Sequence, residues 1–329
     1  MKISFLTKHQ SWPLWREMPE RLRSVFALEH DEEADFLVVF DGLVNTVETA
    51  LSLDRTLVIL PEPPSVKRYD PRFLEQFGHV LTVDSRVRHS NRHIGWSTMG
   101  WFYGVEFTQQ GLVPSLRSLE EIRLDHTHSK SRVASVVVSD KVFTREQRFR
   151  KRFVAELSQV LGTDLDVFGR GSNPIADKRD AIAPYRFHIA LENDCLPHYF
   201  TEKLLDSFLG GAYPLYRGAP NIFEYFPPGS LSLIPQDLTP REAAEFTANE
   251  IRRVDLDAKY GLIRHARNLT LSRYNMFEAT FRMVQKLSGG SRSQRVSLRR
   301  IKPEMNSWRS FSNTAKKRVM QQIWRPVLQ

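Results

Sequence analysis

Cysteine is all but absent from this 329-residue chain, Cys195 being its only one. One thiol excludes an intramolecular disulfide framework and fits a reducing compartment. With no Cys or His cluster beside it, Cys195 reads as a structural residue rather than a nucleophile. Long apolar runs are also missing: no segment approaches the roughly 20 residues that a membrane-spanning helix requires. The apolar start, Ile3-Ser4-Phe5-Leu6, is too short for a signal peptide and is expected to be the first buried strand. Glycine (16 residues) and proline (18) stay at background, which excludes a collagen-like or low-complexity chain, and no internal repeat is present. What remains, 41% hydrophobic residues, is enough to bury the cores of two ordinary domains.

The formal net charge of +9 lacks an even spread. Residues 287–329 carry ten lysines and arginines and a single acid, Glu304, which leaves 37 charges of each sign in the rest. The body is neutral, and the basic excess speaks of what the tail touches.

Short apolar runs alternate with helical or loop segments. Residues 35–41, 56–60 and 77–83 have the composition of buried parallel strands. After a polar linker around 124–131, a second unit starts with a strand at 134–139 and a helix at 148–157. Strands at 165–170, 185–191, 211–218 and 230–234 follow, then helices from Pro240 to Lys286. The pattern predicts an α/β protein with two parallel-sheet domains, 1–125 and 133–286. A flexible Leu287-Ser288-Gly289-Gly290-Ser291 break then leads into a basic tail, 287–329.

The most informative block runs from Tyr185 through Glu192-Asn193-Asp194 to Thr201-Glu202-Lys203. A strand ends there in polar residues just before a helix begins. The unsatisfied N–H groups of a helix N-terminus attract anions, and a lysine in that first turn suits a diphosphate.

Residues 139–235 resemble the C-terminal part of family 10 glycosyltransferases, the α-1,3/1,4-fucosyltransferases. The likeness is carried by Val138-Ser139, the helix around Arg150, Asp166-Val167-Phe168-Gly169-Arg170, Phe187 through Asn193, Thr201-Glu202-Lys203, Gly211-Ala212-Tyr213-Pro214 and Phe226-Pro227-Pro228-Gly229-Ser230. In the amino half it is limited to residues 60–65. The resemblance implies a GT-B fold of two Rossmann-like domains facing across a cleft, the first for the acceptor and the second for the nucleotide sugar. It also implies a GDP-fucose donor, inversion at the sugar carbon and no essential metal. On the matching positions, Arg150 and Lys203 neutralise the diphosphate, Asn193 and Tyr199 contact nucleotide or sugar, and Glu202 bonds sugar hydroxyls or faces the charge developing on the ring. Glu192 has two readings, loop organiser or ligand contact. The base that takes the acceptor proton falls on Glu62, with Asp41 in reserve.

Two Asp-x-Asp triplets, at Asp164 and Asp255, look like the metal motif of another transferase fold, but their strand and helix contexts argue against that role. Asp194-Cys195 and Arg217 depart from the family pattern and keep a different GDP-sugar open as the donor. A non-catalytic glycan- or lipid-binding scaffold is the alternative from another class. In the tail, Trp308, Phe311, Ala315, Val319 and Ile323 recur at helical spacing among Lys316, Lys317 and Arg318, the pattern of an interfacial amphipathic helix. The expected partners are therefore a GDP-sugar, a glycan or glycolipid acceptor and an anionic membrane surface, with no nucleic acid. The expected location is cytoplasmic, on the inner face of the membrane.

Overall fold

The computed structural model describes residues 1–108, 111–114, 118–124, 130–140, 142–169, 173–289 and 295–304. The amino-terminal domain runs through β1 (Ile3–Thr7), β2 (Phe26–Ala27), β3 (Phe36–Phe40), β4 (Val47–Leu51), β5 (Thr56–Leu60), α1 (Pro71–Leu74), β6 (His79–Thr82) and β7 (Arg92–Ile94). A hairpin, β8 (Val105–Thr108) and β9 (Gly111–Pro114), and α2 (Leu119–Leu124) lead out of it. Next come β10 (Arg132–Val137), α3 (Arg145–Leu161), β11 (Leu165–Phe168), β12 (Tyr185–Leu191), α4 (Glu202–Leu209), β13 (Tyr213–Arg217) and β14 (Ser232–Leu233). The described chain closes with α5 (Pro240–Arg253), α6 (Leu256–Leu271), α7 (Met276–Ser288) and β15 (Arg295–Ile301).

Two parallel sheets result, in the orders β2-β1-β3-β5-β6-β7 and β11-β10-β12-β13-β14. Their central strands are continuous apolar runs because both faces are covered: every residue of β3 and β5 is buried. The loops that follow β5 and β12 at their carboxyl ends meet, Ser65 donating to Asp194, in the place where open α/β folds hold their ligands.

Aromatic residues weld the domains together. Trp96 stacks on Phe200 at 5.0 Å and donates its indole N–H to the Phe200 carbonyl, so one apolar cluster runs from the first sheet into α4. The segment after it is clasped from both sides. Arg16 donates to the carbonyls of Trp101, Tyr103 and Gly104, while Asp206 on α4 accepts the N–H groups of Phe102 and Tyr103.

The expected boundaries at the carboxyl end need correction. Helix α7 packs its Phe277 against Phe5 and Phe26 of the first domain. Residues 295–301, expected in the tail, form β15 and pair antiparallel with β4. Beyond it, Glu304 binds Lys67 and accepts the N–H of Asp70. The chain therefore returns to the first domain through α7 and residues 295–304. The amphipathic pattern of 308–323 lies outside the described residues.

Candidate functional site

The carboxyl end of β12 and the first turn of α4 form one hydrogen-bonded unit. Glu192, 2% exposed, turns its carboxylate back on Thr201, accepting from the backbone N–H and the hydroxyl at 2.7 Å each. Thr201 is the N-cap of α4. Glu192 thus organises this loop, the structural of its two readings, and burial pushes its pKa up against the pull of Lys203. Gly218 passes so close that an added Cβ would lie 2.1 Å from the Tyr216 hydroxyl and 2.6 Å from Glu192 Cγ. No larger residue fits.

The Lys203 ammonium sits 2.9 Å from Glu202, 3.1 Å from the Thr201 hydroxyl and 3.7 Å from Glu192. Glu202 is flanked on its other side by Lys178 at 3.7 Å, which is itself bound to Asp206 at 2.9 Å. Burial works against ionisation of Glu202, but Lys203 and Lys178 outweigh it and hold its pKa down to about 2. Glu202 is therefore a fixed negative charge at neutral pH.

Arg150 arrives from α3, whose start is set by a capping box between Thr144 and Gln147. Its guanidinium is buried (7% exposed) and donates to the carbonyl of Leu191, the last residue of β12, at 3.1 Å. Among the described residues no carboxylate is in ion-pair contact with it; Glu192 and Glu202 act on it only through space. A buried cation without an ion-pair partner is costly. Arg150 also lies near enough to Lys203 to repel its charge. The two predicted cations thus lie within electrostatic reach of each other near the end of β12, each from a different helix.

Across the cleft, Glu62 follows β5 on the loop to α1. Burial, with Asp41 and Glu202 adding repulsion and Lys203 and Lys8 opposing, pushes its carboxyl up to about 7. Asp41 has the opposite character. Despite burial, hydrogen bonds and charges from His9, Lys67, Lys8 and Tyr69 hold it well below the usual carboxylate range. With its oxygens so engaged, Asp41 is a poor proton acceptor, and the reserve role expected of it is withdrawn.

Tyr199 is buried, its phenol raised well above normal by burial and by Glu192, Glu62 and Glu202, with Asn193 in hydrogen-bond contact. The predicted residues Glu62, Glu202, Lys203, Tyr199 and Arg150 therefore interact directly or through space. Asn193 joins them through Tyr199.

Both departures from the family pattern turn out to share one partner. Arg217 Nε and Cys195 Sγ each reach Glu146 Oε2, at 3.2 and 3.6 Å. The remaining Arg217 donors go to the carbonyls of Pro235 and Gln236, and its guanidinium lies 3.8 Å from the centre of the Phe149 ring. Burial and Glu146 push the Cys195 thiol up to about 12. These residues knit loops to α3. The triplet aspartates likewise have local tasks: Asp255 caps α6, and Asp166 binds Arg132 and Tyr185.

Sequence reasoning missed Lys178 and Asp206. Asp206 stands four residues after Glu202, one helical turn along the same face, which was a legible signal. Lys178 opens a single 3-10 turn, Lys178–Ala181, too short to leave a periodic pattern, and nothing local announces it. A groove of about 730 Å³ also opens between the domains, its wall starting at Pro64, two residues after Glu62, and formed by the loops at 64–68, 84–86 and 194–198.

Residues 127–248 match the model of the glycosyltransferase family 10 (fucosyltransferase) C-terminal domain. Over 90 residues the chain is 36% identical to GDP-fucose protein O-fucosyltransferase 3 of Mus musculus, covering 26% of this chain and 18% of that protein. Over 85 residues it is 39% identical to alpha-(1,3)-fucosyltransferase 4 of Bos taurus, covering 24% and 21%. The matched segment thus spans about a fifth of these curated relatives. A crystal structure of an alpha1,3-fucosyltransferase aligns over 90% of this chain and 91% of its own with a TM-score of 0.52 at 13% identity. The same enzyme class solved with GDP gives 0.50 at 14% identity, over 87% and 91%. The fold is GT-B.

Proposed function

We propose, from a carboxyl-terminal segment that matches the family 10 transferases and a cleft built around paired cations, that this chain is an inverting fucosyltransferase. It moves L-fucose from GDP-fucose to a hydroxyl of a glycan acceptor, with α-1,3 linkage as the finer reading. The observation that carries this is Arg150: a buried guanidinium without a carboxylate in contact, beside Lys203, at the mouth of a parallel sheet. Such a site favours a dianionic guest.

In the reaction, the acceptor oxygen forms a bond to the anomeric carbon as the bond from that carbon to the β-phosphate oxygen breaks. The electron pair leaves with GDP. Charge grows on the diphosphate, and Arg150 and Lys203 offset it, the task a divalent cation would otherwise perform, so the reading requires no metal. Glu62 takes the proton from the acceptor hydroxyl; a base with a pKa near the working pH combines availability with strength. Glu202, ionised, faces the positive charge that develops on the ring. Asn193 and Tyr199 position donor sugar and nucleotide, and holding both substrates in one cleft supplies much of the acceleration.

The basic residues beyond Glu304 would keep the enzyme on an anionic cytoplasmic membrane face, near a glycolipid acceptor. No helix among the described residues is long and apolar enough to cross a membrane.

The test is release of GDP from a series of GDP-sugars. Release from GDP-fucose, lost in Lys203→Ala, supports the reading; release from another sugar alone replaces the donor. No release from any would leave a binding scaffold.

A further inference from the structure

The interdomain groove is walled by two loops that also carry predicted site residues. Ser65 and Arg68 follow Glu62, while Asp194 and His198 sit next to Asn193 and Tyr199. Ser65 donates to Asp194 at 2.5 Å and so joins the two walls.

His198 has an uncommon backbone for a residue with a side chain, φ +65°. Its ring is fixed in orientation by neighbouring side chains. The Asn221 carbonyl oxygen accepts the His198 N–H, which turns the Asn221 amide nitrogen onto Nδ1 at 3.0 Å, and that nitrogen also donates to Glu224. Facing a pure donor, Nδ1 must accept, and the Tyr225 hydroxyl donates to it as well. The hydrogen-bond pattern thus selects the tautomer with N–H on Nε2, which has no protein partner among the described residues and belongs to a side chain lining the groove.

The charges in the groove are unequally used. Asp84 spends both oxygens on the fork of Arg86, at 2.9 and 3.2 Å. Asp194 spends one on Ser65 and the other on the N–H of Cys195. Arg68 has no hydrogen-bonded or ion-paired partner among the described residues and acts on Asp84 only through space, so the groove keeps a cation without a contact partner.

Resting on the transferase reading above, we propose that this groove holds the acceptor, and that the acceptor is an acidic glycan. Its carboxylate or phosphate pairs with Arg68, and a sugar oxygen accepts from His198 Nε2–H. The apolar faces of Pro64, Ile94 and Leu196 pack against the sugar rings.

The experiment compares matched oligosaccharides that differ in one sugar, a uronic acid against its neutral hexose, with a phosphate-bearing third to separate the two anions. GDP release to water is measured alongside, because hydrolysis does not use the groove. Wild type is expected to favour the acidic members, the better of them identifying the anion. Arg68→Ala should lower kcat/KM on these about 10- to 100-fold, while hydrolysis and the neutral member stay unchanged. His198→Asn, a residue that tolerates the backbone, should lower transfer to all members and spare hydrolysis. An acid-to-neutral ratio untouched by Arg68→Ala, with hydrolysis intact, overturns the groove assignment alone. Absence of any GDP release from wild type overturns the transferase reading and this one with it.

Discussion

Glu62 and Glu202 face one cleft yet titrate on opposite sides of their ordinary value, near 7 and near 2. Burial and like charge raise the first; Lys203 and Lys178 hold down the second. Two carboxylates pushed apart in this way can take two different roles. If Glu62 is the base, the rate should rise with pH through about 7, and Glu62→Gln should remove that limb along with nearly all transfer. The linkage runs the other way for stability. The folded state holds the Glu62 proton more tightly than the unfolded chain, whose value is near 4.5. Stability tied to this proton is complete below about pH 4.5 and lost as pH rises through 7. Thermal denaturation should therefore find Glu62→Gln more stable than wild type at pH 8, by about 1–3 kcal/mol, and equal to it at pH 4.

Lys178 is a positioning residue by the same geometry, since it touches Glu202 and Asp206 rather than the reacting atoms. Lys178→Met should lower kcat about 10-fold or more with GDP affinity nearly unchanged, and Lys178→Arg should restore part of it. A purely structural role would instead move affinity and kcat together.

The elements that present the site were largely legible. Strands β3, β5 and β12 are apolar runs long enough to span a covered sheet, and Thr201-Glu202-Lys203 marks the start of α4. Strand β15 was not, because only one of its apolar residues is buried: Val296 and Leu298 are exposed while Ile301 is inside. Its identity comes from pairing with β4, some 250 residues away, which no local pattern encodes. The turn after β13 shows how closely the site is built. Gly218→Ala should displace Tyr216 or Glu192 and abolish GDP binding in a chain that still folds, as judged by calorimetry beside circular dichroism.

At the scale of the whole molecule, α7 and β15 carry the chain back to the first domain and close the two-domain frame that sets the cleft. The consequence is a choice of where the chain can be cut. Ending it after Glu304 should leave the melting temperature and GDP release unchanged while reducing sedimentation with anionic liposomes. Ending it at 287 removes β15 and the Glu304 contacts to Lys67 and Asp70, and should lower stability by several kcal/mol. Equal liposome binding by the chain ending at 304 and by full-length protein would refute docking through the basic residues. The domain interface was less legible than the sheets, since Arg16 and Asp206 satisfy a backbone segment whose path only the assembled fold defines.

Two cations facing one diphosphate define the proposed site, and titration calorimetry with GDP addresses that directly. Wild type should bind, and Lys203→Ala and Arg150→Gln, each verified as folded, should weaken binding at least about 10-fold. Undiminished affinity in both variants, or no binding by wild type, would contradict it.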